Sequence, residues 1–265
     1  MKIVVAIKQV PERDAALRIA PNAKEVEERE LQWAMNEPDA YALEEALQLK
    51  EKHGGEVIAV SAGPERVGST IREALAKGAD RAIHIVCDDL SERDALGVAR
   101  LLAEAIKPES PDLVLTGLQS EDLGLAQTGV IVAELLGLPH ATLILQIEVI
   151  SDAEGKAQGK TLLRAKRELE EGWFQTIELA TPAVLTIQSG GNKLRYATLM
   201  GIKRAKTKEL RVVNAAELGS AAAPVVVLER IALPKKQKST QMLGGTAKEA
   251  AAALVEKLKS EVHAL

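Results

Sequence analysis

The feature that most constrains this chain is a regular alternation, between residues 2 and 150, of short β-branched runs with longer stretches of helical period. "KIVVAI" at 2–7, dominated by β-branched residues with no helical period, reads as a buried strand, and "EVIAVSAG" at 56–63, "RAIHIV" at 81–86, "DLVLTG" at 112–117 and "ATLILQIEVI" at 141–150 read as further strands. Helical segments separate them. The first starts at Asp39, read as its N-cap, sets Ala42, Leu43, Ala46, Leu47 and Lys50 along one side, and stops at "HGG" (53–55). The others run from Val67 to Lys77 before Gly78, from Glu92 to Lys107, and up to Leu136 before Gly137 and Pro139. Strands and helices of this length join through right-handed crossovers, which predicts an α/β fold with a mostly parallel sheet flanked by helices. Since only 2% of residues are aromatic, its core has to be built from Val, Ile, Leu and Ala.

The alternation breaks in two places. From Lys8 to Glu37 a long charged connection with Pro11 and Pro21 shows no regular order, and connections of this length in compact domains often serve function. After residue 150, "KTLLRAKREL" (160–169), "GWFQTIEL" (172–179) and "AVLTIQ" (183–188) leave no room for helices and predict three antiparallel strands, at the sheet edge or as a flap. Beyond Gly190 the chain turns basic and irregular. "VVVLERIAL" (225–233) reads as one more strand and "PKKQKSTQMLGG" (234–245) as a linker. Residues 246–263 read as an amphipathic helix with Ala247, Ala251, Leu254, Val255, Leu258 and Val262 on one face. The expected division is an α/β nucleotide-binding domain over 1–233 and a linker with a helical arm over 234–265.

Several chemistries are excluded by composition and spacing. A net charge of −4 and scarce aromatics argue against nucleic-acid binding. One cysteine, Cys87, rules out an internal disulfide, points to a reducing cytoplasm, and is followed by two aspartates that would raise its pKa. His53, His84, His140 and His263 lack metal-ligand spacing. The N-terminal run meets Lys8 too early for a leader, and no stretch approaches the roughly 18 apolar residues a membrane span needs. "GKAQGKT" at 155–161 has Glu154 where the P-loop pattern requires glycine, so it reads as a hairpin turn, and "SGGN" at 189–192 reads as a mobile glycine loop.

What survives is a set of loops at the carboxyl ends of the strands, which meet at one edge of a parallel sheet where ligands bind. Ala6 and Ala62 are small enough for a flat base to lie against the backbone. The turn "LTGLQSEDLGLAQTG" (115–129) brings glycines and the free amides of a helix start, suited to a phosphate. Its carboxylates Glu121 and Asp122 would repel that phosphate, so they are expected to cap the helix or meet sugar hydroxyls.

Together with "VVAIKQVP", "MNEPDAYALEEALQLKEK", "EVIAVSAGP", "REALAKGADRAIHI" and "LRYATLMGIKRAK", this turn resembles, in order from residue 2 to about 208, the β subunit of electron transfer flavoproteins. The resemblance implies an adenine-nucleotide α-hydrolase-like fold with an antiparallel hairpin region and a C-terminal arm on the partner. It also implies a heterodimer whose α subunit carries most contacts to the redox-active FAD. Carried over by position, a structural AMP would touch Ala6, Asn36, Glu37, Pro38, Asp39 and Ala62. Its remaining contacts would be Gly117, Leu118, Gln119, Ser120, Glu121, Asp122, Leu123, Gly124, Leu125, Ala126, Gln127 and Thr128. Tyr196, Ala197, Thr198 and Leu199, within a recognition loop near 190–208, would anchor dehydrogenases such as acyl-CoA dehydrogenases. Electrons would pass on to an acceptor such as a quinone oxidoreductase.

Many relatives place a tyrosine near the flavin where this chain has Arg13, whose guanidinium would suit an anionic flavin. Lys203, Arg204, Lys206 and Lys208 read either as a solvated helix face or as a patch steering an acidic partner. An electron-bifurcating branch of the family carries a second FAD in place of AMP and tends toward "D-x-x-Q-V-G-P". Gln127-Thr128-Gly129-Val130 leans toward AMP. A stand-alone nucleotide-binding protein of the universal-stress type is the alternative from another class, and an ATP pyrophosphatase comes last. The hairpin, basic loop and terminal arm after residue 150, and the absence of that group's phosphate-loop glycines, argue against the universal-stress reading.

Overall fold

The computed structural model describes residues 1–150, 160–219, 223–234 and 240–261. These residues group into two units, Met1–Arg230 and Ile231–Leu265. In chain order the first unit contains β1 (Lys2–Ala6), β2 (Gln9–Pro11), β3 (Trp33–Met35), α1 (Glu37–His53), β4 (Glu56–Gly63), α2 (Gly68–Lys77) and β5 (Arg81–Val86). It continues with α3 (Ala95–Ile106), β6 (Leu113–Gly117), α4 (Thr128–Leu136), β7 (His140–Ile150), β8 (Leu162–Glu168), β9 (Phe174–Ala180), β10 (Ala183–Ile187), α5 (Leu199–Ala205) and β11 (Leu210–Asn214). The second unit holds α6 (Ala247–Ser260).

A single sheet in the order β11-β5-β4-β1-β6-β10-β7-β8-β9 organises the first unit. Neighbours from β11 to β7 are parallel, and β8 and β9 are antiparallel. Alternate residues of each strand face opposite sides, so the sheet has two cores. Ile3, Val5, Leu115 and Leu185 pack with Leu43, Ala46 and Leu75 of α1 and α2. Val4, Ile58, Val60 and Val114 pack on the other side with Leu101, Leu102 and Val132 of α3 and α4. Burial on both faces explains why the central strands are mainly apolar. Helix ends follow the glycines: Gly54, Gly78 and Gly137 each sit just past a helix with positive φ.

The later chain departs from the sequence reading. Of the three strands expected to be antiparallel, only β8 and β9 are; β10 inserts between β6 and β7, parallel to both. Strand β7 serves two neighbours because Leu143 has φ 62° and the register slips between Ile144 and Gln146. Its first half pairs with β10, and its second half pairs with β8, with the Ile147 amide donating to Glu45 Oε1 of α1. Residues 225–233 form no strand. Their β-branched side chains have no sheet to join: Val225 and Val226 are exposed, and both amides donate to Asp94 Oδ2. The missing strand is β11, paired with β5.

The connection from Lys8 to Glu37 is also more ordered than expected, since β2 and β3 pair as a small antiparallel ribbon with Arg66 stacked over Trp33. Most of the "GKAQGKT" turn lies outside the described residues. The "SGGN" loop is tied down: a Cβ on Gly191 would run into the Leu145 carbonyl, and Asn192 Nδ2 donates to Tyr41 O and Glu45 Oε2. In the second unit, Thr246 and Glu249 form a capping box at the start of α6. Leu254 and Val255 on its apolar side are exposed, and Val262 lies outside the described residues.

Candidate functional site

The direction of the crossovers reverses at β1. From β1 the chain steps to β4 and β5 on one side, then returns to place β6 on the other. A crevice beyond the carboxyl ends of β1 and β6 is where an open parallel sheet takes a ligand. Ala6 is in register with Val60 of β4, and Val5 with Leu115 of β6, so the ends of the three strands stand side by side. Ala6 and Ala62 both pack with the α3/α4 core. Thr116 and Thr186, each two residues beyond a strand residue of that core, continue the same face. Above them sits Gly129: a Cβ there would lie 2.5 Å from Thr116 Oγ1 and 2.7 Å from Thr186 Cγ2. α4 thus begins directly over Thr116 and Thr186, and the small residues Ala6 and Ala62 stand on the same face at the ends of the neighbouring strands.

The first turn of α1 stitches this crevice together. The helix starts at Glu37 with Asn36 as N-cap, not at Asp39 as the sequence reading has it, because Pro38 fits a first turn that needs no amide there. Asn36 is buried and uses its side chain across the gap: Nδ2 donates to Gln119 O, and Oδ1 accepts from the Glu121 amide. Asp39, 6% exposed, accepts from the Lys8 amide at 2.7 Å and the Gly117 amide at 2.9 Å. One carboxylate therefore clasps the ends of β1 and β6. Burial pushes its pKa up to about 7, against the pull of the two amides, Asn36 and Lys8. Gly117 has no room for a Cβ, which would strike Asp39 and Pro38.

The turn after β6 is exposed from Glu121 to Gln127 and doubles back through positive φ at Gly124 (62°) and Ala126 (54°). Its carboxylates do not cap α4. Asp122 is paired with Lys8 Nζ at 2.6 Å; burial works against ionisation there, but Lys8 and Ser120 outweigh it and hold the carboxyl below its usual range. Glu121 and Glu37 share the Arg13 guanidinium at 2.9 Å each. Arg13 lies with Pro11, Asp14, Ala34, Glu37 and Glu121 around an open depression of ≈ 320 Å³. With both acids paired to neighbours, no side chain among the described residues caps α4, and the amides of residues 128–130 precede its first backbone bond, Ile131 N to Gln127 O. Such a helix start attracts an anion.

Lys8, Thr116 and Thr186 belong to this site although the sequence reading did not select them; Gly129 it had, as part of the turn whose amides suit a phosphate. The one signal for Lys8 is a charge set directly after an apolar run. Cys87 takes no part. Burial and its bond to Asp89 push the thiol up to about 11. Nor does buried His84, whose Nε2 lies 3.0 Å from the Gly63 carbonyl.

Known proteins give this geometry its family. A model described as the electron transfer flavoprotein domain matches residues 24–218. The chain belongs to the electron transfer flavoprotein family. Proteins named electron transfer flavoprotein subunit beta resemble it along nearly their whole length. That of Methylophilus methylotrophus is 41% identical over 97% of each chain, and that of Homo sapiens 36% over 98% of this chain and 97% of its own. The Bacillus subtilis protein is 35% identical over 95% and 96%.

Within this flavoprotein chain, the residues named from the resemblance fall into two groups. Ala6, the 36–39 run, Ala62 and the 117–128 turn gather at the crevice. Tyr196–Leu199 lie farther along α1, where Arg195 is bonded to Glu44 and Glu51. There Tyr196 is 91% and Leu199 88% exposed, and α5 opens with Thr198 as its N-cap. Of the basic run, Lys203, Arg204 and Lys206 are exposed, but Lys208 turns inward to the carbonyls of Leu75 and Ala79, and burial lowers its pKa. It closes the end of α2 and is no part of a solvated face. No helix among the described residues is long and apolar enough to cross a membrane.

Proposed function

We propose that the chain works as the β subunit of a heterodimeric electron transfer flavoprotein, binding a structural AMP in the β1/β6 crevice and helping hold the FAD carried mainly by an α subunit. Dehydrogenases such as acyl-CoA dehydrogenases dock on Tyr196–Leu199, and electrons leave to an acceptor such as a quinone oxidoreductase. The observation that supports this most is the crevice itself: the small residues Ala6 and Ala62 beside an uncapped helix start whose nearby acids are already paired. An adenine fits against these small residues and a phosphate fits the amides of residues 128–130. FAD, when bound between the subunits, supplies the redox chemistry. This chain's residues orient and enclose: Asp39 and Asn36 fix the loops, and Arg13 with its two carboxylates forms the rim.

Co-expression with an α subunit of this family, followed by denaturation of the purified complex and chromatography of the released nucleotides, tests this. One AMP and one FAD per heterodimer are expected. Two FAD without AMP would replace this reading with the bifurcating type. A stable, monodisperse lone chain that binds ATP tightly would overturn the flavoprotein reading altogether.

Docking has its own expected outcome. Leu199→Ala removes an 88% exposed apolar side chain, so it leaves flavin content intact. It should lower the rate of electron delivery from a sub-saturating dehydrogenase by roughly tenfold, the loss of one interface anchor. Stopped-flow reduction of the heterodimer measures it; unchanged rates would remove the loop from the docking surface.

A further inference from the structure

The Tyr196–Leu199 loop presents its apolar side chains to solvent, where a short exposed segment ought to be mobile. Two anchors hold it. On the upstream side Arg195 spends its whole guanidinium on α1: Nε and Nη2 bond both oxygens of Glu44 at 2.8 and 3.0 Å, and Nη1 and Nη2 bond those of Glu51 at 2.6 and 3.2 Å. Its backbone amide adds a third contact to Glu44. Glu44 is the buried member, with a side chain 6% exposed. Burial would raise its carboxyl, but Arg195 and Gln48 outweigh this and the group sits below the usual carboxylate range. Three residues earlier, Asn192 is fixed to Tyr41 and Glu45 of the same helix.

Downstream, Thr198 Oγ1 accepts from the Gly201 amide, Gly201 lies against the Ala76 carbonyl with no space for a Cβ, and Arg72 Nη1 donates to Ala205 O. The loop is therefore stretched between α1 and α2, and Arg195 is the residue next to its first exposed side chain. Ordering a flexible segment on binding costs conformational entropy for every residue fixed, so a loop already held in place binds more tightly for the same contacts.

We propose that Arg195, through its fork onto Glu44 and Glu51, is a positioning residue that sets the Tyr196–Leu199 loop for docking without touching the partner. This rests on the reading of that loop as the dehydrogenase-docking segment. A planar five-donor fork suits the task because one guanidinium reaches both carboxylates, whereas a lysine reaches them as a single point charge.

The test uses the intact heterodimer as electron acceptor in a dehydrogenase assay, reading KM and kcat separately, with FAD content as control. Arg195→Gln is expected to raise KM roughly tenfold with kcat within about twofold, and Arg195→Lys to give an intermediate rise. Glu51→Gln, at a side chain 59% exposed and safe for folding, is expected to raise KM roughly threefold. Adding it to Arg195→Gln should raise KM no further, because both act through one contact. Hydrogen exchange of the amides of residues 196–199 should quicken in the same order as KM rises.

If Leu199→Ala raises KM but neither Arg195→Gln nor Glu51→Gln does, the positioning role is overturned and the docking loop stands. Should Leu199→Ala leave KM unmoved as well, the docking assignment itself fails. A fall in kcat at unchanged KM would also overturn the proposal. If the Arg195→Gln heterodimer fails to assemble, Glu51→Gln decides alone: an unmoved KM refutes the role.

Discussion

Asp39→Ala is expected to destabilise the fold by about 3 kcal/mol near neutral pH and to strip the heterodimer of its nucleotide, because two backbone donors lose their acceptor at about 1–3 kcal/mol each. The donors are the amides of Lys8, two residues beyond β1, and Gly117, the last residue of β6. Without the clasp, the Asn36 bridge and the Lys8–Asp122 pair still tie the segments beyond these strand ends.

The pH dependence is a sharper signature. Asp39 keeps its proton up to about 7 in the fold, compared with an ordinary value of 3.8. Between these values the folded chain binds a proton that the unfolded chain has released, so this residue's contribution to stability falls as pH rises from near 4 to near 7 and is flat above. The shift corresponds to up to about 4 kcal/mol. Nucleotide retention should run the other way, since a protonated carboxyl turns a hydroxyl toward one of the amides and only the ionised form accepts both. Urea midpoints and AMP retained after dialysis, at pH 5.5 and 8, check both trends. Asp39→Asn should flatten both, and an Asn variant with the wild-type slopes would assign them to another group.

Gly129→Ala is expected to lower the melting temperature of the heterodimer by roughly 3–10 °C, the effect of overpacking by about 1–3 kcal/mol in a domain of this size. The new methyl would sit 2.5 Å from Thr116 Oγ1 and 2.7 Å from Thr186 Cγ2. Both threonines are buried and β-branched, so neither swings aside, and the first turn of α4 has to lift off the sheet. The amides of residues 128–130 move with it, and AMP content should fall along with stability. Adding Thr186→Ser deletes one of the two obstructing groups and should recover part of the melting temperature. No recovery would mean that the helix start is held by something else.

The sheet's centre was legible in the sequence because burial on both faces leaves a local mark. Strands β1 and β6 are mainly apolar runs, β4 and β5 interrupt theirs with Ser61 and His84, and α1, α2 and α4 end at glycines that adopt positive φ. Partner choice leaves no such mark. "AVLTI" carries the apolar mark of a central strand, unlike its charged neighbours "LLRAKRE" and "FQTIELA", but nothing local says that it enters between β6 and β7 rather than beside β9. Residues 225–228 have strand propensity with nothing to pair against, whereas "LRVVN", half exposed and short, has a partner in β5. At the crevice the alanines and the glycine-bearing turn could be picked out by size and conformation. The charges could not: that Lys8 would neutralise Asp122 and Arg13 would serve Glu37 and Glu121 depends on contacts across most of the unit.

Inserting β10 between β6 and β7 governs the order in which the chain becomes safe during synthesis. Leu113 of β6 and His140 of β7 both wait for the segment that begins at Ala183. A nascent or prematurely ended chain stopping short of that residue carries two open hydrogen-bonding edges of apolar sequence, each a template for pairing with another chain. Completion of five residues closes both edges at once. Fragments ending in the β8–β9 hairpin should therefore aggregate, while chains that run past Ile187 hide the same edges in the middle of the sheet.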